Sequence, residues 1–267
     1  ETGYNNLRTA VIGKKYAQET LGFYNRGKQF PELVMNAVNG SIQSVMLPVL
    51  ADEQDDVSRM KQMMRRSVMV SSFLVLPMMA GLAAVAEPLV RLLLTDKWLP
   101  CVPFLQICCI DFAFYPIHTA NLQAINAMGR SDVFLRLELI KKSYGLLILA
   151  ATVFLFDSVY AIAWGAVAST LLAAVVNASP NRKLLGYGYL EQMRDVLPAL
   201  ALSAVMFAAV WMLGQVPLSP LPLLVLQVLA GAAIYGGLAL LLRLESMRYL
   251  MDMLRGLAAR RRGEAKA

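Results

Sequence analysis

Residues 196–242 read VLPALALSAVMFAAVWMLGQVPLSPLPLLVLQVLAGAAIYGGLALLL, without one charged side chain. About 20 apolar residues cross a bilayer's hydrocarbon core as a helix, so this run is long enough for two passes. The segment from Gly214 to Pro222, with Pro217 and Pro220 between, cannot continue a helix and must turn the chain. One reading covers both halves: two membrane helices joined by a short, nearly uncharged hairpin.

Working outward, similar runs recur toward the start of the chain. Residues 158–181, 67–86 and 33–51 carry no charge, and 98–129 carries only Asp111, interrupted by Pro100, Pro103 and Pro116. The run 143–156 is apolar, and its helix is expected to begin near 133, with Lys141 and Lys142 a third of the way along. The chain thus reads as an all-α integral membrane protein with seven spans, near 33–51, 67–86, 101–128, 133–156, 158–180, 196–213 and 222–242. A partial eighth helix is expected at 4–13, within a segment 1–32 that otherwise forms an outer loop, and 243–267 forms a basic amphipathic tail.

Composition agrees. Of 267 residues, 58% are hydrophobic and 16% charged, and the mean hydropathy is +0.54. Soluble domains carry roughly 25% charged residues, so a bilayer is the natural solvent, and disorder, collagen-like fibre and disulfide scaffold are excluded. Cys101, Cys108 and Cys109 lie in one apolar stretch and make neither a disulfide framework nor a metal site. Glu1-Thr2-Gly3-Tyr4 shows no signal-peptide pattern, and the absence of an initiator Met is expected to mark a cut rather than a native start.

Lys and Arg distribution orients the spans, because short cytoplasmic loops retain an excess of both. Arg59, Lys61, Arg65 and Arg66, then Arg130, Arg136, Lys141 and Lys142, then Arg182, Lys183 and Arg194 share one side with the tail. They outnumber Lys14, Lys15, Arg26, Lys28, Arg91 and Lys97 on the other. The expected location is a bacterial inner membrane, multi-pass, with the C-terminus cytoplasmic. The net charge of +7 therefore reflects topology, and nucleic acid is not an expected partner.

Loops this short leave no room for a soluble catalytic domain. There is no Walker A sequence, HExxH, GxSxG or CxxC, and a single histidine, His118, cannot build a histidine metal site. No cofactor, metal or catalytic residue is expected, and transport is favoured over catalysis. Candidate functional residues are then the polar groups inside spans, where polarity is expensive and tends to face a water-filled path or a partner. Asn36, Asn39 and Gln43 recur at helical spacing, either lining a hydrophilic cavity or gluing helices together. Asp111 and His118 stand seven residues apart, two turns along one face, and form an ion-coupling candidate that Pro116 between them threatens to distort. Lys141 and Lys142 either anchor at the interface or attract a phosphate-bearing headgroup. Arg8, set among apolar residues, turns a cation toward the interior if the partial helix forms.

The segment Leu21-Gly22-Phe23-Tyr24-Asn25-Arg26-Gly27-Lys28-Gln29-Phe30-Pro31 resembles the polysaccharide (Wzx-type, lipid-linked oligosaccharide) flippase family of the multidrug/oligosaccharidyl-lipid/polysaccharide exporter superfamily. The resemblance continues in order through Pro48-Val49-Leu50, Glu87-Pro88-Leu89-Val90, Lys97-Trp98-Leu99-Pro100, Val102-Pro103-Phe104-Leu105-Gln106, Gly129-Arg130-Ser131-Asp132 and Leu137-Glu138 to Ile140-Lys141-Lys142. Residues 143–267 match mainly in hydropathy. The resemblance implies the second of two bundles in a twelve-to-fourteen-helix exporter, with Glu1 inside the seventh helix and a first bundle outside this sequence.

It further implies flipping of polyprenyl-pyrophosphate-linked oligosaccharide by alternating access, for polysaccharide or lipopolysaccharide export. Arg8, Lys141 and Lys142 would hold pyrophosphate, Asn36, Asn39 and Gln43 would hydrogen-bond sugar, and Asp111 or His118 would couple an ion. Implied partners are membrane lipids and the polymerase and glycosyltransferases of the pathway. The alternatives are a drug/cation antiporter of the same superfamily, whose cavity should be acidic, a membrane glycosyltransferase or polymerase, which should carry a large catalytic outer loop, and a non-transporting structural membrane subunit.

Overall fold

A computed structural model describes the backbone of residues 2–52, 56–249 and 251, and side chains over 7–38, 40, 56–249 and 251. Among these residues there are only helices: α1 Thr2–Lys15, α2 Gln18–Asp52, α3 Val57–Ala84, α4 Ala86–Leu94, α5 Val102–Ala113, α6 Tyr115–Ala127, α7 Ser131–Leu155, α8 Val159–Leu184, α9 Tyr189–Leu213 and α10 Pro220–Leu241, with a 3-10 turn at Asp96–Cys101 before α5. Most of the tail 243–267 lies outside the described residues.

Local chemistry sets several boundaries. Asp56 caps α3, its carboxylate accepting from the backbone N–H of Ser58 and of Arg59 at 3.0 Å each, which satisfies donors that have no partner within the helix. Gly129 ends α6 at φ +68°, a left-handed conformation cheap only for glycine. There the Arg130 N–H reaches back to the Ile125 carbonyl at 3.1 Å, satisfying the helix end. Pro116 falls in the first turn of α6, where a missing N–H does no harm. The stretch expected as one span at 101–128 is therefore two helices meeting at Phe114.

Among the described residues, five helical segments are long and apolar enough to cross a membrane: Val57–Ala84, Asp96–Ala127, Val159–Leu184, Tyr189–Leu213 and Pro220–Leu241. That is fewer than the seven expected. The region 133–156 forms α7, which at 25 residues and about 1.5 Å per residue is long enough to span, but Arg136, Glu138, Lys141 and Lys142 load its first half with charge. The region 33–51 lies within α2, a 35-residue helix that starts back at Gln18 and runs through Pro31.

Helices α3 and α9 share the largest interface, and α10 joins them through the buried core of Met64, Val68, Met206 and Val210. A second core, around Met35, Met79 and Leu105, binds α2 and α3 to α5, and a third, around Ile12, Tyr24, Phe104 and Ile162, binds α1 and α2 to α5 and α8. Gly27 lets α2 approach α5 closely: a Cβ there would stand 2.7 Å from the Cys101 carbonyl oxygen and 2.8 Å from the Leu105 nitrogen. Leu147, Phe154, Val205 and Leu229 point outward, as apolar residues do when lipid is the solvent.

Several of the basic groups assigned to alternate sides pair at opposite ends of the bundle, whereas Lys28, Lys141 and Lys142 line internal pockets. At one end Arg65 binds Asp195 through two hydrogen bonds of 2.9 Å, Tyr187 donates to the same carboxylate at 2.8 Å, and Lys61 donates to the Gly186 carbonyl at 2.6 Å. At the other, Lys15 reaches the Val153 carbonyl at 2.5 Å, Arg91 pairs with Glu87 and Asp96, and Arg26 lies over the Trp98 ring at 5.2 Å.

Candidate functional site

Five helices converge on one polar pocket. Arg8 of α1, Asp111 of α5, Tyr115 and His118 of α6, Glu138, Lys141, Lys142 and Tyr144 of α7, and Ser169 and Thr170 of α8 line it. Its volume is about 90 Å³, room for roughly half a dozen waters or one phosphate-sized group. Five of the eight residues singled out from sequence therefore share a single cavity, though α1 and α7 are more than a hundred residues apart.

Charge in the pocket is largely compensated. The Arg8 side chain is 6% exposed; it hydrogen-bonds the Tyr24 hydroxyl and lies within electrostatic reach of Asp111. Thr170 donates to Asp111 Oδ1 at 2.5 Å. Lys141 forms an ion pair with Glu138 one turn away, and its side chain is 11% exposed. Lys141 lines the pocket; ten residues into α7, it lies about 15 Å along that helix. Three cations face two carboxylates.

The Phe114 break does not separate Asp111 from His118. Both line the pocket, and each meets α8: Asp111 through Thr170, and His118 Nδ1 through the Asn177 amide nitrogen at 3.2 Å. Two pairs of residues seven apart, Asp111/His118 and Thr170/Asn177, run in register along facing helices. His118 Nε2 is buried with no hydrogen-bond partner among the described residues.

Below His118 lies a polar knot. Asn121 donates to the Gln192 Oε1 at 2.7 Å and accepts from Gln192 Nε2 at 3.0 Å and Asn181 Nδ2 at 2.8 Å. All three residues are fully buried, and together they tie α6, α8 and α9.

Asn36 is exposed on α2 and does not line the pocket, while the side chains of Asn39 and Gln43 lie outside the described residues. Sequence reading passed over Glu138, Tyr144, Ser169 and Thr170 as site residues. Glu138 had a signal in its i, i+3 spacing to Lys141; Ser169 and Thr170 had none, being two small residues in the charge-free run 158–181.

This arrangement is that of an all-α, multi-pass membrane protein with the fold of half a lipid flippase. A solved structure described as "Lipid II flippase MurJ, inward closed conformation" superposes with a TM-score of 0.73 at 14% identity, over 94% of this chain and 52% of that one. Residues 1–103 match the family described as "Polysaccharide biosynthesis protein". The chain is 27% identical over 264 residues to the "Succinoglycan biosynthesis transport protein ExoT" of Rhizobium meliloti (strain 1021), covering 92% of this chain and 50% of that one. It is 25% identical to the "Teichuronic acid biosynthesis protein TuaB" of Bacillus subtilis (strain 168), covering 68% of this chain and 37% of that one. It is also 24% identical to the "Lipopolysaccharide biosynthesis protein WzxC" of Escherichia coli (strain K12), covering 51% and 28%. The chain spans half or less of the length of these relatives. The resemblance to polysaccharide flippases seen in residues 4–142 is thereby borne out.

Proposed function

We propose that the chain is one bundle of a transporter that flips polyprenyl-pyrophosphate-linked oligosaccharide across a bacterial inner membrane by alternating access, with its C-terminus in the cytoplasm. The observation that carries this reading is the convergence of Arg8, Lys141 and Lys142 on one pocket within the bundle. Cations in a low-dielectric site attract phosphate far more strongly than in water. The carboxylates of Asp111 and Glu138 hold these cations until substrate competes for them, and Asp111 and His118 are the groups through which an ion gradient acts. The pocket takes one phosphate of the pyrophosphate, the rest of the headgroup and the sugar lie outside it, and the prenyl chain stays in lipid. The polymerase and glycosyltransferases of the pathway are the proposed partners.

A cell lacking the gene, complemented with the complete native reading frame or with its Arg8→Ala variant, tests this. Lipid-linked oligosaccharide is quantified by mass spectrometry and assigned to a leaflet. Accumulation in the cytoplasmic leaflet, relieved by the intact gene and not by Arg8→Ala, supports both the activity and the cationic site. Relief by both genes retains the activity and removes Arg8 from the site. Absence of accumulation refutes the flippase reading and favours the cation antiporter.

A further inference from the structure

Beyond α10 the chain turns back on itself. Arg243 adopts φ +51°; its N–H reaches the Leu240 carbonyl at 3.1 Å, and the Leu244 N–H reaches the Ala239 carbonyl at 3.2 Å. This pair of bonds ends a helix sharply, at a position glycine usually fills. Residues 245–249 are helical again, and Leu244 and Met247 pack on the same core as Met64 and Val68 of α3. Arg248 and Tyr249 are left exposed, and with Arg66 of α3 they line a cavity of about 200 Å³. The cavity shares no lining residue with the pocket around Arg8.

Charge in this cavity is unbalanced. Its one carboxylate, Glu245, is held by Arg65 at 3.4 Å, whereas neither Arg66 nor Arg248 pairs with a carboxylate among the described residues. Arg66 lies over the Tyr249 ring at 5.6 Å, which covers one face of the guanidinium and leaves its N–H edge for an anion. The surroundings fix the depth. On one face of α3, Arg66 is followed at four-residue spacing by Val70, Leu74 and Met78, the last two exposed. On α10, exposed Leu240, Leu241 and Leu242 lead directly to Arg243. A lipid-facing wall therefore stops where the arginines begin, at the level where rings such as that of Tyr249 concentrate.

We infer that this cavity binds the phosphate of an anionic glycerophospholipid, clamped between Arg66 and Arg248, with an acyl chain along Val70, Leu74 and Met78. Guanidinium groups present paired donors that match phosphate oxygens, and a basic cluster at the headgroup level attracts anionic lipid. An amine-bearing headgroup fits less well, because its ammonium meets two arginines and a carboxylate already held by Arg65. By joining α3 to the segment that follows α10, the lipid ties that segment to the bundle. This inference rests on the membrane-spanning fold and not on the flippase reading.

The full native chain is incorporated into nanodiscs of equimolar phosphatidylglycerol and phosphatidylethanolamine, extracted in mild detergent and weighed by native mass spectrometry. Retention of phosphatidylglycerol about fivefold over phosphatidylethanolamine is expected, the factor that roughly 1 kcal/mol produces. Arg66→Gln/Arg248→Gln should bring that ratio close to one. Lys183→Gln/Arg194→Gln removes equal charge from exposed positions at the same end and should leave the ratio unchanged. Should the first double variant fail to fold by circular dichroism, Arg248→Gln alone, which spares the Arg66–Tyr249 contact, should lower the ratio about twofold. A large excess of inorganic phosphate should not displace the lipid, because the acyl chain adds contacts that phosphate lacks. Equal retention of the two lipids, equal loss in both double variants, a ratio unchanged in a folded Arg248 variant, or full displacement by inorganic phosphate would overturn the proposal.

Discussion

Replacing Asn121 with Leu, a side chain of similar size, removes both hydrogen-bonding ends of a residue that is fully buried. Three contacts between helices disappear: to Gln192 Oε1 at 2.7 Å, from Gln192 Nε2 at 3.0 Å and from Asn181 Nδ2 at 2.8 Å. Gln192 Nε2 keeps the Tyr187 carbonyl at 3.2 Å, and Asn181 Nδ2 keeps the residue-121 backbone carbonyl at 3.2 Å. Gln192 Oε1 keeps nothing. At about 0.6 kcal/mol for each side-chain hydrogen bond between membrane helices, the three together contribute about 2 kcal/mol.

Asn121→Leu is therefore expected to lower the free energy of unfolding in mixed micelles by about that amount, and to loosen α9 from α6 and α8 first. Gln192→Leu alone should cost less, about 1 kcal/mol, because Asn121 Nδ2 keeps the Ile117 carbonyl at 2.7 Å and Asn121 Oδ1 keeps Asn181 Nδ2 at 2.8 Å. The double variant removes both partners, and apolar replacement of both is tolerated far better than loss of one. The two changes should thus fall short of additivity by about 1 kcal/mol in a double-mutant cycle. Additive losses, or an Asn121→Leu cost under about 0.5 kcal/mol, would refute the assignment of this knot as the tie between the three helices.

Three further outcomes follow from single contacts. Asp195→Ala strands the Tyr187 hydroxyl and leaves Arg65 only Glu245 at 3.4 Å, and should destabilise the chain by about 1.5 kcal/mol in the same assay, discounted for an Arg65 side chain that is partly exposed; Asp195→Asn, which still accepts from Tyr187, should cost less. Gly27→Ala drives a Cβ against the backbone of Cys101 and Leu105 and should cost about 1–3 kcal/mol, whereas Gly22→Ala, with nothing within 4 Å of its Cβ, should be neutral or stabilising, as compared by thermal aggregation midpoint. Thr170→Val removes the donor to Asp111 and should reduce lipid transport about fivefold and change its pH profile, with Thr170→Ser restoring both; an unchanged profile in vesicles would show that Thr170 does not position Asp111.

Several features were legible in the residues alone. Charge-free runs marked the membrane, because a helix that exposes charge to hydrocarbon is too costly to insert. The alternation of Lys and Arg along the chain matched the two ends of the bundle at groups such as Arg65 and Arg91, because each span returns the chain to the opposite side. The seven-residue interval from Asp111 to His118 put both on one face, and the Pro116 break left them in one pocket because α8 presents Thr170 and Asn177 at the same interval. The rule of charge-free runs is least clear over 133–156, where α7 is long enough to span but carries Glu138 and Lys141 in its first half.

Periodicity reports which residues share a face, and says nothing about what that face meets. Asn36 kept the helical spacing of a cavity-lining residue yet is exposed on α2, away from the pocket. Sequence raised the prospect of an inward-turned Arg8 and offered Lys141 two fates, interface or substrate. Only tertiary packing could bring α1 against α7 and α8, bury both cations in one cavity and supply Asp111 and Glu138 as their counter-charges. The reason is energetic. A buried ion is tolerable only beside a partner of opposite sign; for Lys141 that partner, Glu138, is one turn away on α7, but for Arg8 it is Asp111, on a helix distant in sequence.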